Sequence, residues 1–237
     1  MGKKILLVVA SPALSTTTGW PVGFWASELI HPYDAFVRQG YAVTIASPAG
    51  GKAELDAYSD PRDSSGYSRE DSLSLQYLAR PEFVALLDRT AKVSELRAED
   101  FDAIVVAGGQ SPMFTFRDAV DLQVLFMSFW LSGKVSAALC HGTSLLLYLR
   151  NPDASPFVKG RQITGFANSE EDYADQAVGQ KLMPFRIEDE ARQLGAVFTT
   201  QPAFQPYAVR DGNLITGQQQ HSGGEVARLV IEALNSR

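Results

Sequence analysis

Short runs of apolar residues alternate along the chain with longer segments in which apolar residues recur every three or four positions. Residues 5–10 read ILLVVA, an uninterrupted apolar run that is typical of a parallel strand buried on both faces. In residues 28–39 the apolar side chains follow helical spacing, and Gly40 is a natural helix end. The chain is therefore predicted to begin with a buried strand followed by a helix.

The same two patterns continue to the end of the chain. Further strands are predicted at residues 41–47, 101–107, 135–139, 161–165, 207–210 and 213–216. Further helices are predicted at residues 81–91, 117–131, 143–149, 184–194 and 225–234. Asp211-Gly212 between the last two strands predicts a tight hairpin. Alternation of strands and helices predicts an α/β fold, a doubly wound and mostly parallel sheet with helices on both faces.

Residues 52–80 interrupt the alternation. They are polar and rich in serine, aspartate and glycine, so they are interpreted as an excursion over the surface within one domain that spans residues 1–237. A lid or a contact with a second copy would both fit their composition.

Charge and cysteine content limit the function classes. The net charge of −6 argues against a nucleic-acid partner, which usually meets a basic face. The six-residue apolar run 5–10 is too short for a membrane span or a signal-peptide core, so no membrane association is expected. The single cysteine excludes an internal disulfide and fits a reducing cytoplasm.

That cysteine, Cys140, lies where a predicted strand turns directly into a predicted helix. In such a nucleophile elbow the turn is tight, so the residues two before and two after the nucleophile must be small; Ala138 and Gly142 satisfy this. The helix N-terminus carries partial positive charge, which favours the reactive thiolate. Cys140 is therefore predicted to be a nucleophile, the alternative being a buried apolar cysteine.

An elbow nucleophile needs an oxyanion hole of two backbone N–H groups. The residue after the nucleophile, His141, would supply one of them. Gly109, in the Gly108-Gly109 pair that closes the preceding strand, is the candidate for the other, because a glycine permits close approach. A plain turn is the alternative interpretation of this glycine pair.

Several sequence blocks occur together in an order that resembles the ThiJ/PfpI superfamily. The blocks are residues 23–29, 31–33, 46–51, 101–103, 108–109, 138–142, 164–171 and 211–217. They cover nearly the whole chain and are most similar to the branch of heat-shock chaperones and glyoxalase III enzymes. The resemblance implies a flavodoxin-like sheet of the class I glutamine-amidotransferase type.

The resemblance also implies three roles at the site. Glu28 matches the family's buried acid, which faces the cysteine and shares a proton with its sulfur. His141 matches the catalytic histidine, although adjacent side chains usually point apart. The acid that orients the histidine is Glu171 or Glu170, with Glu171 preferred; from the residues alone, this acidic pair could equally belong to a solvated loop.

Two segments depart from the pattern of that branch. Residues 110–113 read QSPM where His-Gly usually follows the glycine pair. Residues 218–222 read QQQHS where Asn-Pro-Ala-Ser is usual. Both are expected near the pocket mouth, so they bear on substrate specificity. With His31, His141 and His221 as the only histidines, neither a metal site nor a cofactor is predicted.

The implied function is that of a cysteine-dependent enzyme acting on small reactive carbonyls. It would be a glutathione-independent, glyoxalase III-like lyase that converts a 2-oxoaldehyde to a 2-hydroxy acid, or a related deglycase, and the resemblance implies a homodimer. Three alternatives remain open, namely a glutamine amidotransferase or amidase-type hydrolase, a stress-related holding chaperone, and a redox sensor that uses Cys140. For the amidotransferase, His221 could be the late histidine, but Gly223 stands where its glutamate should be.

Overall fold

The apolar runs form a central sheet of seven strands in the computed structural model, which describes residues 2–236. The described residues form eleven strands, seven of which belong to this sheet. They are β1 (Lys4–Val8), β2 (Ala13–Leu14), β3 (Pro21–Val22), β4 (Ala42–Ser47), β5 (Ala91–Lys92), β6 (Ala103–Val106), β7 (Val135–Leu139), β8 (Gln162–Ile163), β9 (Val197–Phe198), β10 (Ala208–Asp211) and β11 (Leu214–Gly217). The sheet has the order β10-β11-β7-β6-β1-β4-β5, and β2-β3 and β8-β9 form two small pairs. Only the β10–β11 pairing within the large sheet is antiparallel, since the Asp211-Gly212 turn forms the predicted hairpin.

Helices cover both faces of this sheet. They are α1 (Ala26–Arg38), α2 (Ser72–Leu78), α3 (Pro81–Asp88), α4 (Pro112–Thr115), α5 (Val120–Leu131), α6 (Leu145–Tyr148), α7 (Asn168–Val178), α8 (Ile187–Gln193) and α9 (Gly223–Asn235). None of them is long and apolar enough to span a membrane within residues 2–236. The predicted doubly wound, mostly parallel α/β fold is therefore confirmed.

Alternation along β1 explains why its whole run is apolar. Leu6 and Val8 point into a cluster with α5, α6 and α8, whereas Ile5 and Leu7 point into a cluster with α1, α2, α3 and α9. All four side chains are fully buried, as expected of a strand covered by helices on both faces. Burial of large apolar side chains is the main stabilising contribution of such a core.

Two segments differ from their predicted character. Residues 168–178 are the helix α7, and both acids in its first turn are buried, so the solvated-loop interpretation is wrong. Residues 52–80 lie only partly at the surface: Asp56 and Ser59 are buried, and α2 packs on α1.

Three parallel strands bring the predicted site residues to one edge of the sheet. Strands β1, β6 and β7 are neighbours in the order of the sheet. β6 leads into Gly108-Gly109 and β7 leads into Cys140. Carboxyl ends of parallel strands meet at the same edge, which is where active sites of such sheets form.

Candidate active site

Cys140 occupies a sharp turn at the end of β7. Its φ angle is +55°, in the left-handed region that side chains with a Cβ rarely adopt. A short 3-10 helix, Cys140–Ser144, follows at once. A Cβ on Gly142 would lie 2.6 Å from the carbonyl oxygen of Ala107, so this turn requires glycine there. The predicted elbow geometry is present.

The two backbone N–H groups predicted for an oxyanion hole lie beside the sulfur. Both the His141 and the Gly109 N–H groups hydrogen-bond to the Cys140 thiol and lower its pKa. Gly109 has a φ of +99°, and a Cβ there would lie 2.5 Å from the backbone nitrogen of Trp25. The glycine pair therefore serves a close approach that a plain turn would not need.

The thiol, the imidazole of His141 and the carboxylate of Glu171 form a line. Cys140 Sγ lies 3.7 Å from His141 Nδ1, and His141 Nε2 lies 2.9 Å from Glu171 Oε1. Adjacent side chains converge here because the left-handed turn at Cys140 redirects the chain. Since a carboxylate only accepts hydrogen bonds, Nε2 carries the proton and Nδ1 offers its lone pair to the thiol.

Glu170 hydrogen-bonds to the surrounding backbone and to Gln218 rather than to His141. Its carboxylate accepts hydrogen bonds from Ala167 N at 2.8 Å, Phe204 N at 3.1 Å and Gln218 Nε2 at 2.7 Å. Of the two acids left open by the sequence, Glu171 is therefore the one that contacts the histidine.

Glu28 is fully buried, and its carboxyl group interacts with the Cys140 thiol. Its Oε2 accepts a 2.7 Å hydrogen bond from Gly108 N. Its Oε1 is buried without a hydrogen-bond partner among residues 2–236. Burial raises the pKa of Glu28 to about 8, although the contacts with Cys140 and Gly108 oppose this.

The pKa of the Cys140 thiol is raised well above its usual value. Burial is the largest cause, followed by the charge of the Glu28 carboxylate. The two backbone N–H groups act in the opposite direction but do not prevail. The expectation of a low thiol pKa from the helix terminus is therefore wrong, because the following helical segments are short and Cys140 is buried.

The pH dependence of alkylation tests this coupling. Glu28 and Cys140 share a site and titrate as a pair, whose first proton leaves near pH 8. The rate of alkylation of Cys140 by iodoacetamide should rise about tenfold per pH unit below pH 8 and level off near pH 8. In Glu28→Gln the rate should keep rising above pH 8. Mass spectrometry of this single cysteine measures the rate. A plateau already reached at pH 6 would contradict the raised pKa.

Asp56, which the sequence did not identify, ties the oxyanion-hole loop to the rest of the protein. Its carboxylate accepts hydrogen bonds from Gly23 N at 2.8 Å and Gln110 N at 2.5 Å. Burial raises the pKa of Asp56 to about 6, against the effect of these two N–H groups. The residue fixes the position of Gln110, and with it the end of the Gly108-Gly109 loop. An isolated aspartate in a polar segment carries no sequence signal for such a role.

The reactive groups open into a cavity of about 280 Å³. Cys140, His141 and Glu171 line it together with mostly apolar side chains. Of the two departures from the family pattern, only Gln110 and Gln220 line this cavity. The remaining residues of those segments face elsewhere: Ser111 and Gln218 are buried in the surrounding structure, and His221 lines a neighbouring cavity.

The three histidines do not converge. His31 Nε2 is 2.8 Å from Asp71 Oδ1, at the neighbouring cavity that His221 also lines. Among residues 2–236 no cluster of three or more histidine, cysteine or acidic side chains is placed to hold a metal ion.

Comparison with known proteins shows the family of this chain. The model of the DJ-1/PfpI family matches residues 21–233. Glyoxalase 3 of Candida albicans is 27% identical over 98% of both chains, and the glutathione-independent glyoxalase HSP31 of Saccharomyces cerevisiae is 26% identical over 99% of both. The crystal structure of glyoxalase III from Candida albicans superposes with a TM-score of 0.79 at 27% identity, covering 98% of this chain and 97% of that one. The chain belongs to the DJ-1/PfpI family.

Proposed function

We propose that this protein is a cysteine-dependent, glutathione-independent glyoxalase, a lyase that converts a 2-oxoaldehyde to the corresponding 2-hydroxy acid. The observation that carries the proposal is the line Cys140–His141–Glu171 beside two backbone N–H groups. Full-length relatives named as glyoxalases support the same reaction. A small-molecule carbonyl is the substrate, and the proposed chemistry uses no cofactor.

The first step joins the sulfur to the aldehyde carbon. His141 Nδ1 takes the proton of the Cys140 thiol, and Glu171 stabilises the resulting imidazolium. As the C–S bond forms, the carbonyl π electrons move onto oxygen, and the N–H groups of His141 and Gly109 hold that oxyanion. His141 then returns the proton to the oxygen, which leaves a neutral hemithioacetal.

The second step moves a proton between adjacent carbons. His141 or Glu28 removes the proton from the former aldehyde carbon, and the neighbouring carbonyl oxygen takes up a proton, which gives an enediol. Return of a proton to the neighbouring carbon, with loss of the hydroxyl proton next to sulfur, gives a thioester. Glu28 is protonated below about pH 8, so at neutral pH it hydrogen-bonds to the sulfur as a donor and His141 is the available base. Water then cleaves the C–S bond, releasing the 2-hydroxy acid and the thiol.

A product assay tests the proposal directly. Purified protein incubated with methylglyoxal in the absence of glutathione is expected to form lactate at a rate proportional to protein concentration. Formation of lactate at the protein-free rate, for both methylglyoxal and larger 2-oxoaldehydes, would contradict it.

Removing the Glu171 carboxylate should impair the enzyme strongly. Glu171→Gln leaves a neutral partner at His141 Nε2, so both the proton position and the stabilisation of imidazolium are lost, and kcat should fall about 10²- to 10⁴-fold. Lactate formation measures kcat.

Two neighbouring acids provide matched controls for this substitution. Asp172→Asn removes the same charge from the same helix at a side chain that is 70% exposed, and it should leave kcat within about twofold. Glu170→Gln should lower the thermal midpoint of unfolding, whereas kcat measured at a permissive temperature should fall much less than in Glu171→Gln. Equal losses of kcat in Asp172→Asn and Glu171→Gln would exclude a specific role for Glu171.

The alternatives find less support in the site. A redox sensor needs an exposed, acidic thiol, whereas Cys140 is buried and its pKa is raised. A glutamine amidotransferase would use a late histidine, but the partner of Cys140 is its own neighbour His141.

Assembly and compartment complete the proposal. A homodimer in the cytoplasm, without nucleic acid or membrane partners, fits the family resemblance, the net charge of −6 and the single cysteine. Sedimentation equilibrium is expected to give twice the mass of one 25.8 kDa chain; a monomer mass would exclude the dimer.

A further inference from the structure

The cavity next to Cys140 is large compared with methylglyoxal. It measures about 280 Å³, and a water-sized group occupies about 30 Å³, so it has room for roughly nine such groups. Methylglyoxal has only five non-hydrogen atoms and would leave about half of this space unfilled. Phenylglyoxal, with ten, matches the capacity of the whole cavity to within about one such group.

The lining of the cavity combines two chemistries. Cys140, His141, Gln110 and Gln220 carry groups that can bind and transform a dicarbonyl. Most of the other lining side chains are aromatic or aliphatic, among them Trp20, Phe204, Leu182 and Met183, and Phe166 packs on His141 with ring centroids 4.2 Å apart. A substrate that contacts both sets has a dicarbonyl head and a bulky apolar body.

Small residues of α7 leave room in the cavity. Ala174 and Ala177 line the cavity on this helix, where longer side chains would extend into it. Tyr173 and Phe204, whose rings meet edge to face at 5.1 Å, line the same cavity. Such walls suit an aromatic ring, which gains from edge-to-face contacts in addition to apolar burial.

We infer that the substrates are 2-oxoaldehydes whose carbonyl carries an aromatic or similarly large apolar group, with phenylglyoxal as the simplest example. This inference rests on the proposed glyoxalase function and specifies the substrate class. Each additional apolar carbon that is buried in a pocket contributes to discrimination between substrates, and one methylene already changes kcat/KM by about 10- to 200-fold. The kcat/KM for phenylglyoxal should therefore exceed that for methylglyoxal at least about tenfold.

Initial rates on the two aldehydes test this preference in the unmodified protein, with mandelate and lactate as the measured products. Equal kcat/KM values, or a preference for methylglyoxal, would overturn the inference while leaving the proposed function intact. This comparison does not depend on the folding of any variant.

A filled cavity supplies a second test. Ala174→Phe places a ring in the cavity, so the ratio of kcat/KM for phenylglyoxal to that for methylglyoxal should fall about tenfold or more. Gln176→Phe adds the same ring to an exposed position of α7 that does not line the cavity, and the ratio should stay unchanged. An unchanged ratio in folded Ala174→Phe would overturn the inference.

Ligand binding separates failure of the inference from failure of the proposed function. Two of the three tryptophans, Trp20 and Trp25, line the cavity, so their fluorescence reports occupancy. Cys140→Ala protein should bind mandelate at least about tenfold more tightly than lactate, even if neither aldehyde is turned over. Equal affinities would refute the apolar-body class independently of any catalysis.

Discussion

Replacing Cys140 with alanine is expected to reduce kcat/KM for 2-oxoaldehydes by about 10⁴-fold or more. The mechanism needs a covalent bond to the aldehyde carbon, and Cys140 is the only cysteine in the chain. No other nucleophile of comparable strength lines the cavity: its other members are aromatic, aliphatic, amide, imidazole and carboxylate side chains. Loss of lactate formation measures the effect.

The same substitution should leave the fold intact, which separates chemistry from stability. Alanine keeps the Cβ in the left-handed turn and removes only the sulfur, so the free energy of unfolding should change by about 1–2 kcal/mol. Cys140→Ser is a second control, because its hydroxyl fits the turn but is a much weaker nucleophile near neutral pH. Sustained turnover in folded Cys140→Ala would show that the reaction does not pass through this residue.

The fold was largely predictable because its strands are buried on both faces. Runs such as 101–107 and 135–139 contain few polar residues, since helices cover the sheet on either side, and the observed strands β6 and β7 fall within them. The hairpin at Asp211-Gly212 was predictable for a local reason, the turn chemistry of that dipeptide. These features depend on neighbouring residues in the sequence.

Helix α7, which was not predicted from the sequence, shows where local patterns fail. Its sequence, NSEEDYADQAV, is acidic and contains few large apolar residues. It is ordered by tertiary contacts instead: the carboxylate of Glu170 binds Gln218 and the Phe204 backbone, and Glu171 binds His141. A pattern of neighbouring residues cannot report partners that lie so far along the chain.

The site itself was predictable as a set of residues but not in its electrostatics. Cys140, Gly109 and the small residues of the elbow follow from turn geometry, whereas Glu28 and His141 came only through the family resemblance. The direction of the thiol pKa depends on burial and on Glu28, which lies far away in sequence and contacts the sulfur only after folding. Asp56 is invisible to the sequence for the same reason.

Stability should fall with rising pH because of Glu28. Its pKa rises from an ordinary 4.5 to about 8 on folding, so between these values the folded state binds one more proton than the unfolded state. The contribution of Glu28 to the free energy of unfolding is full below pH 4.5 and is lost as the pH rises to 8. The loss amounts to about 3–5 kcal/mol. Urea denaturation at intervals from pH 5 to pH 9 measures it.

Glu28→Gln should remove this loss, because glutamine resembles the protonated acid: its oxygen can accept from Gly108 N and its amide can donate to the sulfur. Between pH 5 and pH 9, the free energy of unfolding of the variant should therefore increase by about 3–5 kcal/mol relative to that of the wild type. Glu82→Gln, at an exposed position of α3, should track the wild type throughout. Burial is the largest cause of the raised pKa, so Cys140→Ala should keep the decline with pH. If Cys140→Ala abolished the decline, the proton shared with the sulfur, and not burial, would set the pKa of Glu28.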